Sequence, residues 1–170
     1  MKKELLFDRK TIFERVQGLA REISSEYAGK EPVVIGVLNG AVFFLTDLVR
    51  ELDIPSVIDF IKASSYGSRM QSSGSVALTK DVEIPLEGRD VILVEDIVDT
   101  GLTLKKILEH LEGKSPSSIK VCALIDKLER REEQINIDYW GFRVDKGFLV
   151  GYGLDFNEQY RSLPGIYTLE

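Results

Sequence analysis

Val91-Ile92-Leu93-Val94-Glu95-Asp96-Ile97-Val98-Asp99-Thr100-Gly101-Leu102-Thr103 carries four consecutive aliphatic residues into two adjacent acids and then into a small, hydroxylated turn. An aliphatic run without alternation reads as a strand covered on both faces, as in a parallel sheet. Such a core does not accept Glu95 and Asp96 unless they emerge at the strand's end, so the acids point at a ligand or a metal. Asp99-Thr100-Gly101-Leu102-Thr103 then supplies backbone N–H groups, two hydroxyls and a glycine for a tight turn. Leu104, Ile107, Leu108 and Leu111 follow at helical spacing. The turn therefore opens a helix, where amides and the helix dipole hold a phosphate. The same residues also suit an ordinary strand-to-helix turn in which Asp99 caps the helix and Thr103 bonds locally.

Towards the N-terminus, Ile12, Phe13, Val16, Leu19, Ala20 and Ile23 recur at helical spacing after Asp8, predicting an amphipathic helix that ends near Gly29. Val33 to Val37 reads as a buried strand, Leu38-Asn39-Gly40 as a turn, and Ala41 to Leu52 as a second helix. A strand at Val57 to Ile61 gives way to the polar segment Lys62 to Ser75, whose length inside a compact domain predicts a lid or a disordered loop. Val76 to Val82 restores the strand pattern ahead of Val91. Further strands are predicted at Lys120 to Ile125, Ile137 to Gly141 and Leu149 to Tyr152. Strands that alternate with helices predict an α/β fold, a mostly parallel twisted sheet flanked by helices. Sites in such sheets gather at the carboxyl ends of the strands.

With 170 residues the chain fits one domain spanning 1–170, which buries roughly 70% of its unfolded surface. Apolar residues at 44% and charged residues at 29% match an ordinary globular protein, and no run approaches the ~20 apolar residues of a spanning helix. The start, Met1 to Asp8, has acids at positions 4 and 8 and no long apolar run, so it does not read as a secretory signal and the cytoplasm is the expected compartment. A net charge of −6 weighs against nucleic-acid binding. Cys122, the only cysteine, reads as a small buried residue, and no disulfide can form within the chain. His110, the only histidine, is expected to face solvent late in its helix, which excludes histidine metal clusters and histidine-based triads.

Taken together, Val94 to Thr103 resembles the phosphoribosyl pyrophosphate signature of the type I phosphoribosyltransferases, in its hypoxanthine-guanine version. The resemblance implies that fold, with a small hood formed by the terminal segments. It implies that Glu95 and Asp96 hold the ribose hydroxyls and a magnesium ion, that Asp99 acts near the purine N7, and that Thr100, Gly101, Leu102 and Thr103 cradle the 5′-phosphate. Leu38, Asn39 and Gly40 match the family's pyrophosphate loop, where a non-proline cis peptide is often found; many relatives carry Lys or Arg in place of Asn39, which implies weaker pyrophosphate binding here. Ser64, Ser65, Tyr66 and Gly67 look like the start of the mobile loop that closes over the reacting centre. Lys127, at the end of a strand, matches the lysine that reads the exocyclic oxygen of a 6-oxopurine, a donor-only group that disfavours adenine. Phe148 to Pro164 resembles the C-terminal signature, which implies that Phe148 stacks on the purine, Leu149 presents backbone groups to its edge, Asp155 at the purine site binds a magnesium on the pyrophosphate, and Arg161 contacts the same pyrophosphate. Gly147, between Lys146 and Phe148, leaves the start of that strand uncertain by one residue.

The implied reaction transfers a 5-phosphoribosyl group to N9 of hypoxanthine, and of guanine, in purine salvage, in a magnesium-dependent enzyme that forms homo-dimers or homo-tetramers. A xanthine- or guanine-preferring transferase stays open, because backbone groups read the 2-position. A phosphoribosyl pyrophosphate-sensing nucleic-acid-binding regulator is the second alternative, though such a sensor has no need of Lys127 and Phe148.

Overall fold

The structure, a computed structural model, describes residues 1–64 and 77–170. In chain order its elements are β1 (Lys3–Phe7), α1 (Arg9–Glu26), β2 (Val33–Val37), α2 (Val42–Glu51), β3 (Val57–Ala63), β4 (Leu78–Lys80), β5 (Asp90–Val98), α3 (Leu102–Glu112), β6 (Ser118–Lys127), β7 (Tyr139–Val144), β8 (Leu149–Val150) and β9 (Ile166–Leu169). Six strands form one sheet in the order β4-β3-β2-β5-β6-β7, in which only β4 runs antiparallel. The remaining three form a separate antiparallel sheet, β1-β9-β8.

The unbroken aliphatic run works as its pattern implies, because β5 is covered on both faces. Ile92 and Val94 join the core beneath α1 and α2, where Ile12, Val16, Leu19, Phe44 and Leu48 are buried. Val91 and Leu93 face the opposite core, built on Leu104, Ile107 and Leu111 of α3. At roughly 25 cal/mol per Å² of apolar surface removed from water, burial on both faces anchors β5 firmly. Asp8 caps α1 by accepting a hydrogen bond from the Thr11 amide at 2.8 Å. The Arg15 guanidinium then ties this helix to β7 through the carbonyls of Gly141 (2.9 Å) and Trp140 (2.6 Å). Phe13, predicted on the apolar face of α1, is 43% exposed.

Several predicted bounds move. β5 does not stop at Val94 but continues through Glu95 and Asp96 to Val98, held by its register with β6 out to Val98↔Asp126. Its pairing with β2 ends at Gly36↔Val94. The two acids thus enter the site where β2 peels away, not where β5 ends. The strand predicted over Val76 to Val82 reduces to Leu78–Lys80 within the described residues. The one predicted over Ile137 to Gly141 shifts to Tyr139–Val144, because the Asp138 carboxylate accepts the Val121 amide at 2.9 Å. The predicted Leu149 to Tyr152 strand shortens to two residues, followed by glycines at positive φ, Gly151 and Gly153. β1 and β9, outside the predicted strands, pair the two terminal segments and form the expected hood.

Candidate active site

Parallel β2, β3, β5 and β6 all end at one edge of the sheet, and the loops that follow them converge there. Asp96 is 9% exposed, and its carboxylate accepts the Ile97 amide at 2.8 Å. A Glu95 carboxylate oxygen lies 3.2 Å from the Asp96 amide. Burial raises both carboxyls above the ordinary carboxylate range, and the adjacent Asp96 charge pushes Glu95 up further. The Arg161 charge works the other way on Asp96. Two crowded acids of this kind suit a cation or a pair of hydroxyls better than bare solvent.

After β2, the peptide between Leu38 and Asn39 is cis. Gly40 follows with no room for a side chain, since a Cβ there would run into the Asp96 carboxylate. Gly153 lies on the other side, where a Cβ would strike the Gly40 carbonyl oxygen. Three segments distant in sequence thus meet, Gly40 against the Gly153 backbone on one side and the Asp96 carboxylate on the other. Arg161 secures the contact by donating from Nη1 to the Gly153 carbonyl at 2.7 Å, while its Nη2 lies 3.4 Å from Asp155 and 3.1 Å from Glu158. Its Nε is buried with no hydrogen-bond partner among the described residues. Asp155 also accepts the Glu158 amide at 2.9 Å.

Gly101, not Asp99, caps α3. It sits at φ 84° and no side chain caps the helix end. The Thr100 hydroxyl lies 3.3 Å from the Leu102 amide, and the Thr100 carbonyl accepts amides from Glu132 (2.9 Å) and Glu133 (3.1 Å). A side chain at Gly101 would press on Ile135 and on the Glu133 carbonyl. Leu102 and Thr103 form the first turn of the helix, in the geometry that receives a phosphate.

Asp99 is thereby released for another use. Its Oδ1 is buried with no hydrogen-bond partner among the described residues, and the Lys127 ammonium stands 3.9 Å away. Lys127 itself is only 5% exposed, with Glu129 at 3.7 Å on its other side, and Arg130 lies 3.5 Å from Asp99 Oδ2. A buried ammonium beside an acceptor with spare capacity is a donor–acceptor pair ready for one planar polar molecule. Phe148 is 47% exposed although aromatic, and it meets Phe156 edge-on at 5.6 Å. Leu149 beside it is buried. Gly147 adopts φ 113°, and its amide donates to Glu129 at 3.2 Å.

Of the predicted loop over the site, Ser65, Tyr66 and Gly67 lie outside the described residues. Ser64 starts it at the end of β3, its amide donating to the Ala77 carbonyl at 2.7 Å. His110 is exposed late in its helix as expected, and its Nε2 lies 3.0 Å from Asp81, which also pairs with Lys114 at 3.1 Å. Cys122 is buried as expected, and burial pushes its thiol pKa up. Arg130 and Arg131 were not singled out from the sequence; the available signal is two adjacent arginines just after a strand-end lysine in an acidic chain. Among the described residues no group of three or more His, Cys, Asp or Glu side chains could hold a metal by itself. The donors present instead match magnesium, which binds through one or two carboxylates plus substrate oxygens. A cavity of about 720 Å³ lined by Phe13, Phe43, Asp47 and Tyr152 contains none of the predicted site residues. No helix among the described residues is long and apolar enough to cross a membrane.

A mostly parallel sheet, a phosphate-type turn after a central strand and a hood closing over the strand ends define an α/β protein built to bind a phosphorylated ligand at its sheet edge. Residues 4–157 match the family model described as phosphoribosyl transferase domain. The chain is 48% identical over 170 residues to a hypoxanthine-guanine phosphoribosyltransferase of Aquifex aeolicus, covering 99% of this chain and 96% of that one. It is 44% identical to a hypoxanthine-guanine-xanthine phosphoribosyltransferase of Tritrichomonas foetus, covering 98% and 91%. A crystal structure of a hypoxanthine-guanine phosphoribosyltransferase from Bacillus anthracis superposes with a TM-score of 0.93 at 41% identity, covering 98% of both chains. The chain belongs to the phosphoribosyl transferase family, and its fold is that of the type I enzymes.

Proposed function

We infer that this protein transfers the 5-phosphoribosyl group of phosphoribosyl pyrophosphate to N9 of hypoxanthine, and of guanine, releasing pyrophosphate and the purine nucleotide. The observation that carries this reading is the pairing of buried Lys127 with half-buried Asp99, 3.9 Å apart, with one buried Asp99 oxygen unpartnered among the described residues beside a phosphate-type turn. Lys127 donates to the 6-oxo group; adenine presents an amino group there and finds no acceptor. Asp99 accepts from N7 and takes or returns the proton that the ring must shift as N9 forms its bond to C1′. Phe148 offers its exposed face to the purine ring, and Leu149 presents backbone groups to its edge.

On the sugar side, the turn from Thr100 to Thr103 receives the 5′-phosphate, and Glu95 with Asp96 orients the ribose hydroxyls. Leu38 to Gly40 and Arg161 face the pyrophosphate. Asn39 adds no positive charge to that loop, so binding of the leaving group leans more heavily on Arg161. As the C1′–O bond breaks, positive charge grows on the ribose and negative charge on the pyrophosphate, and in this reading Glu95 and Asp96 would face the first. Magnesium fits this donor set, held by Glu95 and Asp96 through the ribose hydroxyls and by Asp155, and when bound it would neutralise charge on the leaving group. Ser64 to Gly67 would act as the lid that keeps water from the reacting carbon.

Residues 1–170 read as one phosphoribosyltransferase domain, since β1 and β9 close the two terminal segments on each other. We place it in the cytoplasm, as a homo-dimer or homo-tetramer with no nucleic-acid or membrane partner, and sedimentation measures the assembly. The reaction is tested by incubating the protein with phosphoribosyl pyrophosphate, magnesium and hypoxanthine. Equimolar inosine monophosphate and pyrophosphate are expected; pyrophosphate without nucleotide would reduce the protein to a hydrolase of its donor.

A further inference from the structure

We propose that Arg131 is a positioning residue for the purine site, fixing the separation of Lys127 and Asp99. Its guanidinium makes four contacts, of which only the one to Asp126 is shared with another described side chain, Arg143. Nε donates to the Asp99 carbonyl at 2.9 Å, and Nη2 reaches the carbonyls of Val98 and Lys127, each at 3.0 Å, and the Asp126 carboxylate at 2.6 Å. These acceptors belong to two chain segments, the end of β5 and the end of β6, which carry the two groups that would grip the base. The ion pair is largely shielded from solvent, with side-chain exposures of 18% for Arg131 and 7% for Asp126.

A planar fork of donors suits this position because it spans several acceptors at once in fixed geometry; a lysine ammonium, a point charge on a flexible stem, does not. The β5–β6 ladder ends at Val98↔Asp126, one residue short of Asp99 and of Lys127, so it does not pair those two residues with each other. Arg131 replaces that ladder with a side-chain bridge. The phosphate turn does not depend on it in the same way, because the Glu132 and Glu133 amides hold Thr100 and the Lys105 amide bonds the Gly101 carbonyl at 2.9 Å. Loss of the fork therefore releases the purine side and spares the phosphate side. Asp126 keeps a second partner, Arg143 at 3.3 Å, so removing Arg131 leaves no carboxylate buried alone.

This inference rests on the reading of Lys127 and Asp99 as the purine grip, and the experiment separates the two. Initial rates are measured for the full chain and for Arg131→Gln and Arg131→Lys, varying hypoxanthine, adenine and phosphoribosyl pyrophosphate in turn, with Tm recorded for each. A displacement of about 1 Å between groups that touch the substrate costs on the order of 10²-fold, so kcat/KM for hypoxanthine should fall by about that factor. The KM for phosphoribosyl pyrophosphate should hold, and the preference for hypoxanthine over adenine should narrow. Arg131→Lys keeps the charge and provides the same readout if the glutamine variant does not fold. Unchanged kinetics, or a loss of kcat with both KM values and the purine preference intact, overturns the positioning role. A wild-type protein inert towards hypoxanthine overturns the underlying reading instead.

Discussion

Asp99 and Lys127, the proposed grip on the purine, have surroundings that differ in kind. Lys127 is buried between two carboxylates, whereas Asp99 keeps one oxygen without a hydrogen-bond partner among the described residues. Asp99→Asn preserves the shape and removes the charge and the capacity to take a proton. Turnover should fall by about 10²- to 10⁴-fold, with phosphoribosyl pyrophosphate affinity nearly intact. Steady-state kinetics together with equilibrium binding check this, and undiminished turnover would remove Asp99 from the reaction. Glu95 gives a prediction of a different type. Burial, and then the Asp96 charge, holds its carboxyl well above the usual carboxylate range. A raised value in the folded state means that the folded protein keeps a proton the unfolded chain has already lost. Stability therefore falls as pH climbs from the ordinary glutamate value through the raised one. Glu95→Gln removes that cost, so its Tm should exceed the wild-type Tm at about pH 8, with the gap closing at about pH 4, below the ordinary carboxylate value. Calorimetry at both pH values decides it, since an equal gap at each would show that Glu95 is not the titrating group.

Among the elements, the junction of β5 with α3 was the most legible in the sequence. An unalternating apolar run and a glycine-containing turn each have one dominant structural meaning, and they adjoin. The end of β2 was harder to read, because Leu38-Asn39-Gly40 has no local signal for the collision that forbids a side chain at Gly40. That constraint comes from Asp96, which lies 56 residues further along the chain. Gly40→Ala should therefore act well beyond its size: overpacking of this kind costs about 1–3 kcal/mol, and here it displaces a site carboxylate. Urea unfolding should show that loss, and initial rates should fall with it; wild-type values in both would mean that the loop relaxes freely. Arg131 was illegible for a related reason. It sits in the polar run Leu128 to Gln134, which reads as a solvated connection, and three of its four acceptors are backbone carbonyls that no motif encodes.

Across the whole molecule, the hood depends on pairings that span nearly the full chain, with Lys3 opposite Leu169. Most of β1 is exposed and shows no clean alternation of buried and exposed positions, so nothing local marks it as a strand. Phe7 anchors it by stacking on Phe142 of β7 with ring centroids 4.0 Å apart. Phe7→Ala should cost about 2 kcal/mol, the ring being only partly buried, and lower Tm by roughly 4–8 °C. A thermal melt checks this, and an unchanged Tm would detach the hood from the stability of the main sheet. The hood carries Phe148 and Arg161, while the main sheet carries Glu95, Asp96, Asp99 and Lys127, so the proposed reaction requires both sheets. The most direct test of the account is the initial rate with phosphoribosyl pyrophosphate against hypoxanthine, guanine, xanthine and adenine separately, with and without magnesium. Rapid, magnesium-dependent turnover of hypoxanthine with adenine inert is the expected result. Equal use of adenine, or no turnover of any purine despite binding of phosphoribosyl pyrophosphate, would contradict the assignment of Lys127 and Asp99 as the purine site.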